Sequence, residues 1–368
     1  MSDLSREENS QFLSTQLITC IGNKRALLDF LGKALDTVKA RLGKSALNMG
    51  DYFSGSGIVS RYFKAHATRL VVNDLEPYAE VLSRCFLSNA REVDLGAVER
   101  TLSEIVPRVE ANRKGGFISE MYAPLDDNHI CAGERVFFTR RNALYLDAAC
   151  QALEKVSPQV RLALLGPLLS EVSVHTNTSG VFKGFYKNGA GIGCFGGKNG
   201  DALKRICGDI HLSSPVLSDF SCPVEVFRMD ANVLARQIDG LDLVYLDPPY
   251  NQHPYGSNYF MLNLIADYKR PQAVSAVSGI PSGWNRSDYN ARGKARDALF
   301  ALIGACKASH LLISYNSEGF VTQDDFTQTL SAMGKVTIFE VSYNTFRGSR
   351  NLNDRPLKVK EYLYLLEK

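Results

Sequence analysis

The sequence has few of the features that mark membrane, secreted or zinc-binding proteins. It contains no run of about 18 apolar residues, so we expect no membrane span. Its eight cysteines are scattered without a C-x-x-C pair, and only six histidines are present. We therefore expect neither a disulfide scaffold nor a metal site, and reduced thiols fit a cytoplasmic protein best.

Length and charge set only broad limits on the fold and on its partners. A chain of 368 residues is long enough for two domains, or for one domain with a large insertion. The net charge of +3 permits a nucleic-acid partner without demanding one.

The most informative feature is an apolar stretch that runs directly into Asp247-Pro248-Pro249-Tyr250. This stretch, residues 241–246, is typical of a buried strand in a parallel sheet. Open α/β sheets bind their ligands at the carboxyl ends of such strands. The tetrapeptide is therefore predicted to lie in a ligand cleft. The plain alternative is a strand that ends in a Pro-Pro turn, with Asp247 in solvent.

These four residues suit the activation of an amino group attached to an aromatic ring. Such an amine is a poor nucleophile because its lone pair is delocalised into the ring. The Asp247 carboxylate and a backbone carbonyl beside Pro248 can accept hydrogen bonds from the amino group. These bonds favour the tetrahedral, nucleophilic form of the nitrogen. The prolines help to hold the carbonyls because they fix φ. Tyr250 offers a flat ring on which a base extruded from its stack can lie.

A second motif resembles the nucleotide-binding half of a doubly wound sheet. A short strand at 46–51 opens into a loop with Phe53, Gly55 and Gly57, and a second strand ends at Asp74. The glycines allow close approach to a ligand, and an acid about 20 residues on can bond ribose hydroxyls. The third glycine of the dinucleotide fingerprint is missing, so an adenosine ligand without phosphates is favoured over NAD. A plain tight turn and a helix N-cap at Asp74 are the alternatives.

Further strands are predicted towards the carboxyl terminus. A strand at 224–227 ends near Asp230, and we expect it to neighbour the strand that ends at Asp247. Asp230 would then face the same cleft, with a helix N-cap as the alternative. The segment 270–295 is interpreted as a surface loop. Three more strands are predicted, at 311–316, 336–341 and 361–366, the last two joined by a basic loop that contains Arg347, Arg350 and Arg355.

Between residues 96 and 215 the alternation of strands and helices gives way to aromatic clusters and a glycine-dense stretch. From Arg135 to Asp209 there are ten basic and five acidic residues. Basic and aromatic residues on flexible backbone suit a surface that follows nucleic-acid phosphates. A solvated face of a small insertion is the alternative. The candidate DNA contacts are Arg140, Arg141, Lys183, Lys187 and Lys198.

With these motifs the chain resembles the adenine-specific DNA methyltransferases that use S-adenosylmethionine and an Asp-Pro-Pro-Tyr loop. It is most similar to the group whose cofactor motif precedes the catalytic motif, with a target-recognition insertion between them. Dam-type and restriction–modification methylases belong to this group. Four further blocks carry the resemblance: residues 21–24, 133–139, 177–183 and 314–319.

The resemblance implies an α/β fold with a doubly wound, mostly parallel, seven-stranded Rossmann-like sheet. The catalytic domain would comprise residues 1–95 and 216–368, and the inserted recognition region residues 96–215. The cofactor would be S-adenosylmethionine and the partner double-stranded DNA, with a cognate restriction endonuclease acting separately. We expect a monomer or weak dimer in the bacterial cytoplasm, at the nucleoid when bound to DNA.

The resemblance also assigns roles to individual residues. Lys24 would contact the methionine carboxylate of the cofactor or help to close the site, and Asp51 would order the glycine loop. Asp74 would hold the ribose, Asp230 would lie near the adenine amino group, and Asp247 would accept from the target N6. Relatives usually carry an aromatic residue where this chain has Cys20, and a solvated position is the alternative for Lys24. The expected cofactor contacts are Cys20, Lys24, Asp51, Phe53, Gly55, Gly57, Asp74, Asp230 and Asp247.

Four other functions share part of this pattern. Methylation of cytosine N4 more often uses serine before the two prolines, and methylation of RNA adenine or of protein glutamine commonly uses asparagine. A catalytically silent DNA-binding protein of the same fold is opposed by the intact Asp247, Tyr250 and Asp74. A dehydrogenase would explain the glycine loop alone and leaves the Pro-Pro-Tyr sequence unexplained.

Overall fold

In the computed structural model, which describes residues 8–197, 200–344 and 358–368, seven strands form one sheet. The strands are β1 Leu47–Asp51, β2 Ala67–Asp74, β3 Val224–Arg228, β4 Leu243–Leu246, β5 His310–Asn316, β6 Lys335–Asn344 and β7 Lys358–Glu367. Their order is β3-β2-β1-β4-β5-β7-β6. The first five strands run parallel, and β7 is antiparallel to both of its neighbours. This is the Rossmann-like methyltransferase sheet that the sequence predicted.

Helices cover both faces of the sheet. The helices are α1 Ser10–Ser14, α2 Leu28–Leu42, α3 Ile58–Lys64, α4 Pro77–Phe86, α5 Leu95–Ala111, α6 Phe117–Met121, α7 Arg140–Leu153, α8 Pro158–Val174, α9 Leu203–Ile206, α10 Ala231–Gln237, α11 Tyr255–Asn258, α12 Phe260–Asp267, α13 Arg292–Ala305 and α14 Gln323–Ser331. Within the described ranges, no helix combines the length and apolarity needed to cross a bilayer.

Burial on both faces explains why the central strands are almost wholly apolar. In β5, Leu311 and Ile313 pack with α10, α13 and α14, whereas Leu312 packs with α2 and α3 on the opposite face. In β4, Val244 and Leu243 divide in the same way. A strand covered on both sides has no polar face, so it appears in the sequence as a continuous apolar run.

A third apolar cluster lies beside the sheet and is built from helices. It joins α5, α7 and α8 to α4 and α12, the helices that follow β2 and β4. The segment between β2 and β3 therefore packs against residues that follow the Asp-Pro-Pro-Tyr sequence. Its division as a recognition region at 96–215 stays a prediction.

The predicted neighbour of β3 is wrong. β3 pairs with β2, through Leu70 and Val224 among others, whereas β4 lies between β1 and β5. The chain adds β2 and β3 on one side of β1 and then starts again on the other side with β4. Chain order does not reveal this reversal, because a long helical segment separates β2 from β3. The reversal beside β1 is the switch point at which such sheets bind ligands.

Candidate active site

A cleft opens at the carboxyl ends of β1, β2 and β4, with about 900 Å³ of empty space that includes open solvent. Gly57 is outside its lining, and Pro249 is part of it. Eight of the nine expected cofactor residues line the cleft: Cys20, Lys24, Asp51, Phe53, Gly55, Asp74, Asp230 and Asp247.

The glycine loop is held from two strands. Gly55 and Gly57 have φ of +51° and +76°, conformations that residues with side chains rarely adopt. At the end of β1, buried Asp51 accepts hydrogen bonds from Ser60 Oγ at 2.5 Å and from the Phe53 N–H at 3.4 Å. At the end of β2, Asp74 Oδ2 accepts from the Gly55 N–H at 2.7 Å. The carboxylate expected at the ribose is thus also an anchor of the loop.

The alternative interpretations of the two acids have different outcomes. Asp74 is not a helix N-cap, because Glu76 occupies that position before α4. Asp230 is the N-cap of α10, and its Oδ1 accepts from the N–H groups of Asn232 and Val233. Asp230 also lines the cleft, so capping and exposure to a ligand occur in one residue.

Tyr289 is a cleft residue that the sequence did not predict. Its ring meets the ring of Phe53 edge-on, with centroids 5.2 Å apart, and its hydroxyl donates to Asn232 Oδ1 at 2.6 Å. The prediction of a surface loop at 270–295 is therefore wrong for this part, since Tyr289 is buried. No periodic pattern marks it, because it lies in a single 3₁₀ turn, Asp288–Asn290.

Glu76 is a second cleft residue that the sequence did not predict, and it joins three segments of the chain. Its Oε2 accepts from Asn263 Nδ2 at 2.5 Å and from Asn285 Nδ2 at 3.4 Å. Burial, with Asp74 nearby, raises the pKa of Glu76 to about 7. The backbone of Gly256 passes so close that a Cβ there would lie 2.6 Å from the Asn285 carbonyl oxygen. These contacts hold the wall formed by residues 285–290 against β2.

Lys24 is buried between two carboxylates. Its Nζ lies 3.1 Å from Asp247 Oδ1 and 3.0 Å from Glu361 Oε1, and its side chain is 4% exposed. The interpretation of Lys24 as a solvated helix-start residue is therefore wrong. Burial disfavours its charge, but the two carboxylates outweigh burial and raise the pKa of Lys24 well above its ordinary value.

Asp247 is held inside the cleft rather than in solvent. Its side chain is 17% exposed, which contradicts the alternative of a solvated turn residue. Burial raises its pKa to about 6; Lys24 opposes this change, and Glu361 adds to it. Among the described residues, no donor is aligned to hydrogen-bond Oδ1, so the contact with Lys24 is an ion pair.

Tyr250 lies half-buried next to Asp247. Its ring packs edge-on against Tyr315 of β5 with centroids 5.9 Å apart, and its carbonyl accepts from the Phe320 N–H at 3.0 Å. Lys24 Nζ is 5.8 Å from the centre of the Tyr250 ring. The block 314–319 and the following Phe320 thus contact the last residue of the Asp-Pro-Pro-Tyr sequence. Pro248, within that sequence, is buried.

Cys20 packs where the resemblance led us to expect an aromatic ring. The turn that follows it is held by two tyrosines: Tyr259 Oη accepts from the Ile21 N–H at 2.7 Å, and Tyr255 Oη donates to the Ile21 carbonyl at 2.9 Å. Burial raises the pKa of Cys20 to about 12, so the thiol stays protonated. Two aromatic residues from the segment after Tyr250 thus pack around the start of the Lys24 turn.

The predicted DNA contacts fall into different environments. Lys187 lies in a β-hairpin closed by a bridge to Gly193, and Lys183 precedes it; both are exposed. Arg140 instead donates to the Ser119 carbonyl at 2.7 Å, and Arg141 pairs with Asp209 at 2.7 Å. Lys198 and the basic loop with Arg347, Arg350 and Arg355 lie outside the described residues.

The hairpin is connected both to the segment between β2 and β3 and to α11, the helix that follows Tyr250. Asn177 Nδ2 donates to the carbonyls of Val136 and Cys194 at 2.8 and 2.9 Å, which joins the blocks 133–139 and 177–183. The Phe182 N–H donates to the Asn258 carbonyl at 2.7 Å, in the helix that follows Tyr250. The exposed lysines therefore lie in a segment that is bonded to the helix after the Asp-Pro-Pro-Tyr sequence.

The fold and the cleft define an S-adenosylmethionine-dependent methyltransferase with an Asp-Pro-Pro-Tyr sequence at the end of β4. The chain belongs to the D12 class N6 adenine-specific DNA methyltransferases, whose family profile matches residues 21–280. The cofactor is therefore S-adenosylmethionine and the substrate is DNA. Membership decides for adenine N6 against cytosine N4, RNA, glutamine and hydride transfer.

Known proteins similar to this chain are Type II methyltransferases and modification methylases. It is 28% identical to the Type II methyltransferase M.NlaIII of Neisseria lactamica, over 95% of this chain and 98% of that protein. It is 26% identical to the Type II methyltransferase M.CviAII of Paramecium bursaria Chlorella virus 1, over 94% and 97%. For the modification methylase StsI of Streptococcus sanguinis the identity is 27%, and this chain spans 51% of that protein.

Proposed function

We propose that this chain is the modification methylase of a Type II restriction–modification system. It methylates N6 of an adenine flipped out of duplex DNA within one recognition sequence, and a separate endonuclease cuts the unmodified site. The support is the likeness to M.NlaIII and M.CviAII along nearly the full length of both chains.

The residues of the cleft fit S-adenosylmethionine. Two acids, Asp74 and Asp230, can accept from the ribose hydroxyls and the adenine amino group, and the rings of Phe53 and Tyr289 offer an apolar corner to the adenine. A buried carboxylate oxygen without an aligned donor, Asp247 Oδ1, lies in the same cleft. When bound, the cofactor supplies an electrophilic methyl group.

The role of Lys24 in this proposal differs from the two that the resemblance implied, contact with the methionine carboxylate and closing of the site. Two carboxylates already neutralise its charge, so it is poorly placed to bind the methionine carboxylate as well. We assign to it the orientation of Asp247. A lysine buried between acids is held rigidly, because moving it would leave buried charges unpaired.

Asp247 and Tyr250 act on the target base. Tyr250 stacks on the flipped adenine, while a carboxylate oxygen of Asp247 accepts a hydrogen from N6 and localises the nitrogen lone pair. With a pKa of about 6, Asp247 is ionised at neutral pH and available as an acceptor. The methylated nitrogen is an acidic ammonium, and it loses its extra proton to Asp247 or to water.

The observation that carries the proposal is the placement of half-buried Asp247 in the same cleft as the glycine loop. The test is incubation of the protein with methyl-tritiated cofactor and duplex DNA, followed by sequencing that detects modified bases. We expect label on adenine N6 within one short sequence. Label on cytosine, or on adenines that share no sequence, contradicts the proposal.

A further inference from the structure

Glu361 lies beyond the Asp-Pro-Pro-Tyr sequence, in the last strand of the sheet. Its side chain is fully buried on β7, where it faces Asn316 of β5 in the antiparallel register. Ser314 Oγ donates to Glu361 Oε1 at 2.5 Å, and the Lys24 ammonium lies 3.0 Å from the same oxygen. Residues 358–368 are outside the part of the chain that the family profile matches, 21–280.

The sheet register aligns this carboxylate with the catalytic one. Leu246 of β4 pairs with Ile313 of β5, so Asp247, just after β4, and Ser314, within β5, follow this pair in the parallel register. Ser314 then reaches across to Glu361 on the next strand, and Lys24 completes the row. Among the described residues, Asp247, Lys24 and Glu361 therefore form a cluster of two carboxylates and one ammonium group.

Burying a second carboxylate costs free energy, because charges lose their hydration inside a protein, and here Lys24 and Ser314 offset part of that cost. If Lys24 paired with Asp247 alone, its full positive charge would compete with the N6 hydrogens for the Asp247 oxygens. Glu361 divides the attraction of Lys24 between two acids. Asp247 then keeps more of its negative charge for the base amine while remaining anchored.

We infer that Glu361 is a positioning residue for methyl transfer, which shares Lys24 with Asp247 and so maintains Asp247 as a hydrogen-bond acceptor. Glu361 acts through Lys24 and does not touch the base. The inference rests on the proposed role of Asp247.

Other ionisable groups also surround Asp247. They are Cys20, Asp51, Tyr245 and Tyr255. Burial raises the pKa of the thiol and of both phenols, so these three stay neutral at physiological pH. Burial raises the pKa of Asp51 to about 7, but Asp51 bonds to Ser60 and Phe53, and loss of Glu361 leaves these partners in place.

The test is the pH dependence of the single-turnover methylation rate in Glu361→Gln. Glu361 raises the pKa of Asp247, and its loss also leaves Lys24 to Asp247 alone, so both effects lower that pKa. Activity requires ionised Asp247 and falls as the pH drops through its pKa. We expect the acid limb to move to lower pH by roughly one unit. At pH 8 the rate should fall about tenfold, with cofactor and DNA affinities retained.

The control is Glu367→Gln, which removes a half-exposed carboxylate from the far end of the same strand and should leave rate and profile unchanged. An unmoved acid limb, or a loss of cofactor binding that accounts for the whole rate change, overturns the inference. If Glu361→Gln does not fold, Glu361→Asp retains the charge at a greater distance and should shift the limb part of the way. An unmoved limb there is equally contrary.

Asp247→Ala is measured in parallel to separate two kinds of failure. If that variant still turns over, the proposed role of Asp247 is wrong, whatever Glu361 does. If it is inactive while Glu361→Gln behaves like the unaltered protein, only the inference about Glu361 fails.

Discussion

The surroundings of two side chains, buried Lys24 and half-buried Asp247, determine the charges inside the cleft. Either could have been an ordinary solvated residue at the end of a strand or the start of a helix. In the structure they form an ion pair of 3.1 Å inside the cleft. The chemistry of the cleft therefore depends on the surroundings of individual side chains.

The first prediction concerns Asp247→Ala. Methyl transfer should fall about 100-fold or more, because the N6 amine loses its acceptor while the cleft keeps its walls. DNA affinity should change little. The measurement is single-turnover transfer of tritiated methyl groups, with DNA binding followed by anisotropy. Asp239→Ala, at an exposed aspartate before β4, is the matched control and should be fully active.

The second prediction concerns the ring of Tyr250. Stacking of an aromatic ring on a base contributes about 1–3 kcal/mol, so Tyr250→Ala should weaken capture of the flipped adenine. Tyr250→Phe keeps the ring and should retain most activity. Fluorescence of 2-aminopurine at the target position reports the flipped base directly. If Phe is as damaging as Ala, the hydroxyl rather than the ring is what matters.

At the scale of elements, the wall formed by residues 285–290 depends on a close approach to α11. Gly256→Ala would place a methyl group against the Asn285 backbone, and overpacking of this kind costs typically about 1–3 kcal/mol. We expect a lower melting temperature and weaker cofactor binding, measured by scanning and titration calorimetry.

Gly304→Ala is the matched control for Gly256→Ala. Gly304 also lies in a helix, but a Cβ there meets nothing within 4 Å. Alanine should raise stability there by up to about 1 kcal/mol, since it favours helix more than glycine does. Equal behaviour of the two variants would show that the wall is free to move away from α11.

At the scale of the whole molecule, DNA binding should depend on the hairpin lysines. Each phosphate contact that is lost reduces the slope of log affinity against log salt by about 0.9. We expect Lys183→Ala and Lys187→Ala each to flatten the slope by about that amount. Lys44 precedes β1 and so lies at the amino ends of the parallel strands, away from the cleft at their carboxyl ends. Lys44→Ala should leave the salt slope unchanged. Unchanged slopes for the hairpin variants would place these lysines off the interface.

Local signals were enough to predict the strands and the glycine loop. The predicted strand at 241–246, for example, ends at the same residue as β4, because burial of β4 on both faces favours apolar side chains at 243–246. Tyr289 and Glu76 were missed, since a single 3₁₀ turn and a lone acid after β2 carry no periodic signal. The neighbour of β3 was wrong because pairing across a sheet is decided by contacts between distant segments.

Two features of the site follow from the sequence alone. They are a carboxylate between an apolar strand and two prolines, and glycines where the backbone needs positive φ. Both are local, because neighbouring residues alone dictate strand, turn and loop. Which charged groups surround that carboxylate depends on the tertiary structure. Lys24, near one end of the chain, contacts Asp247, and Glu361, near the other end, contacts Lys24. Charge interactions act through space, and the fold alone sets those distances.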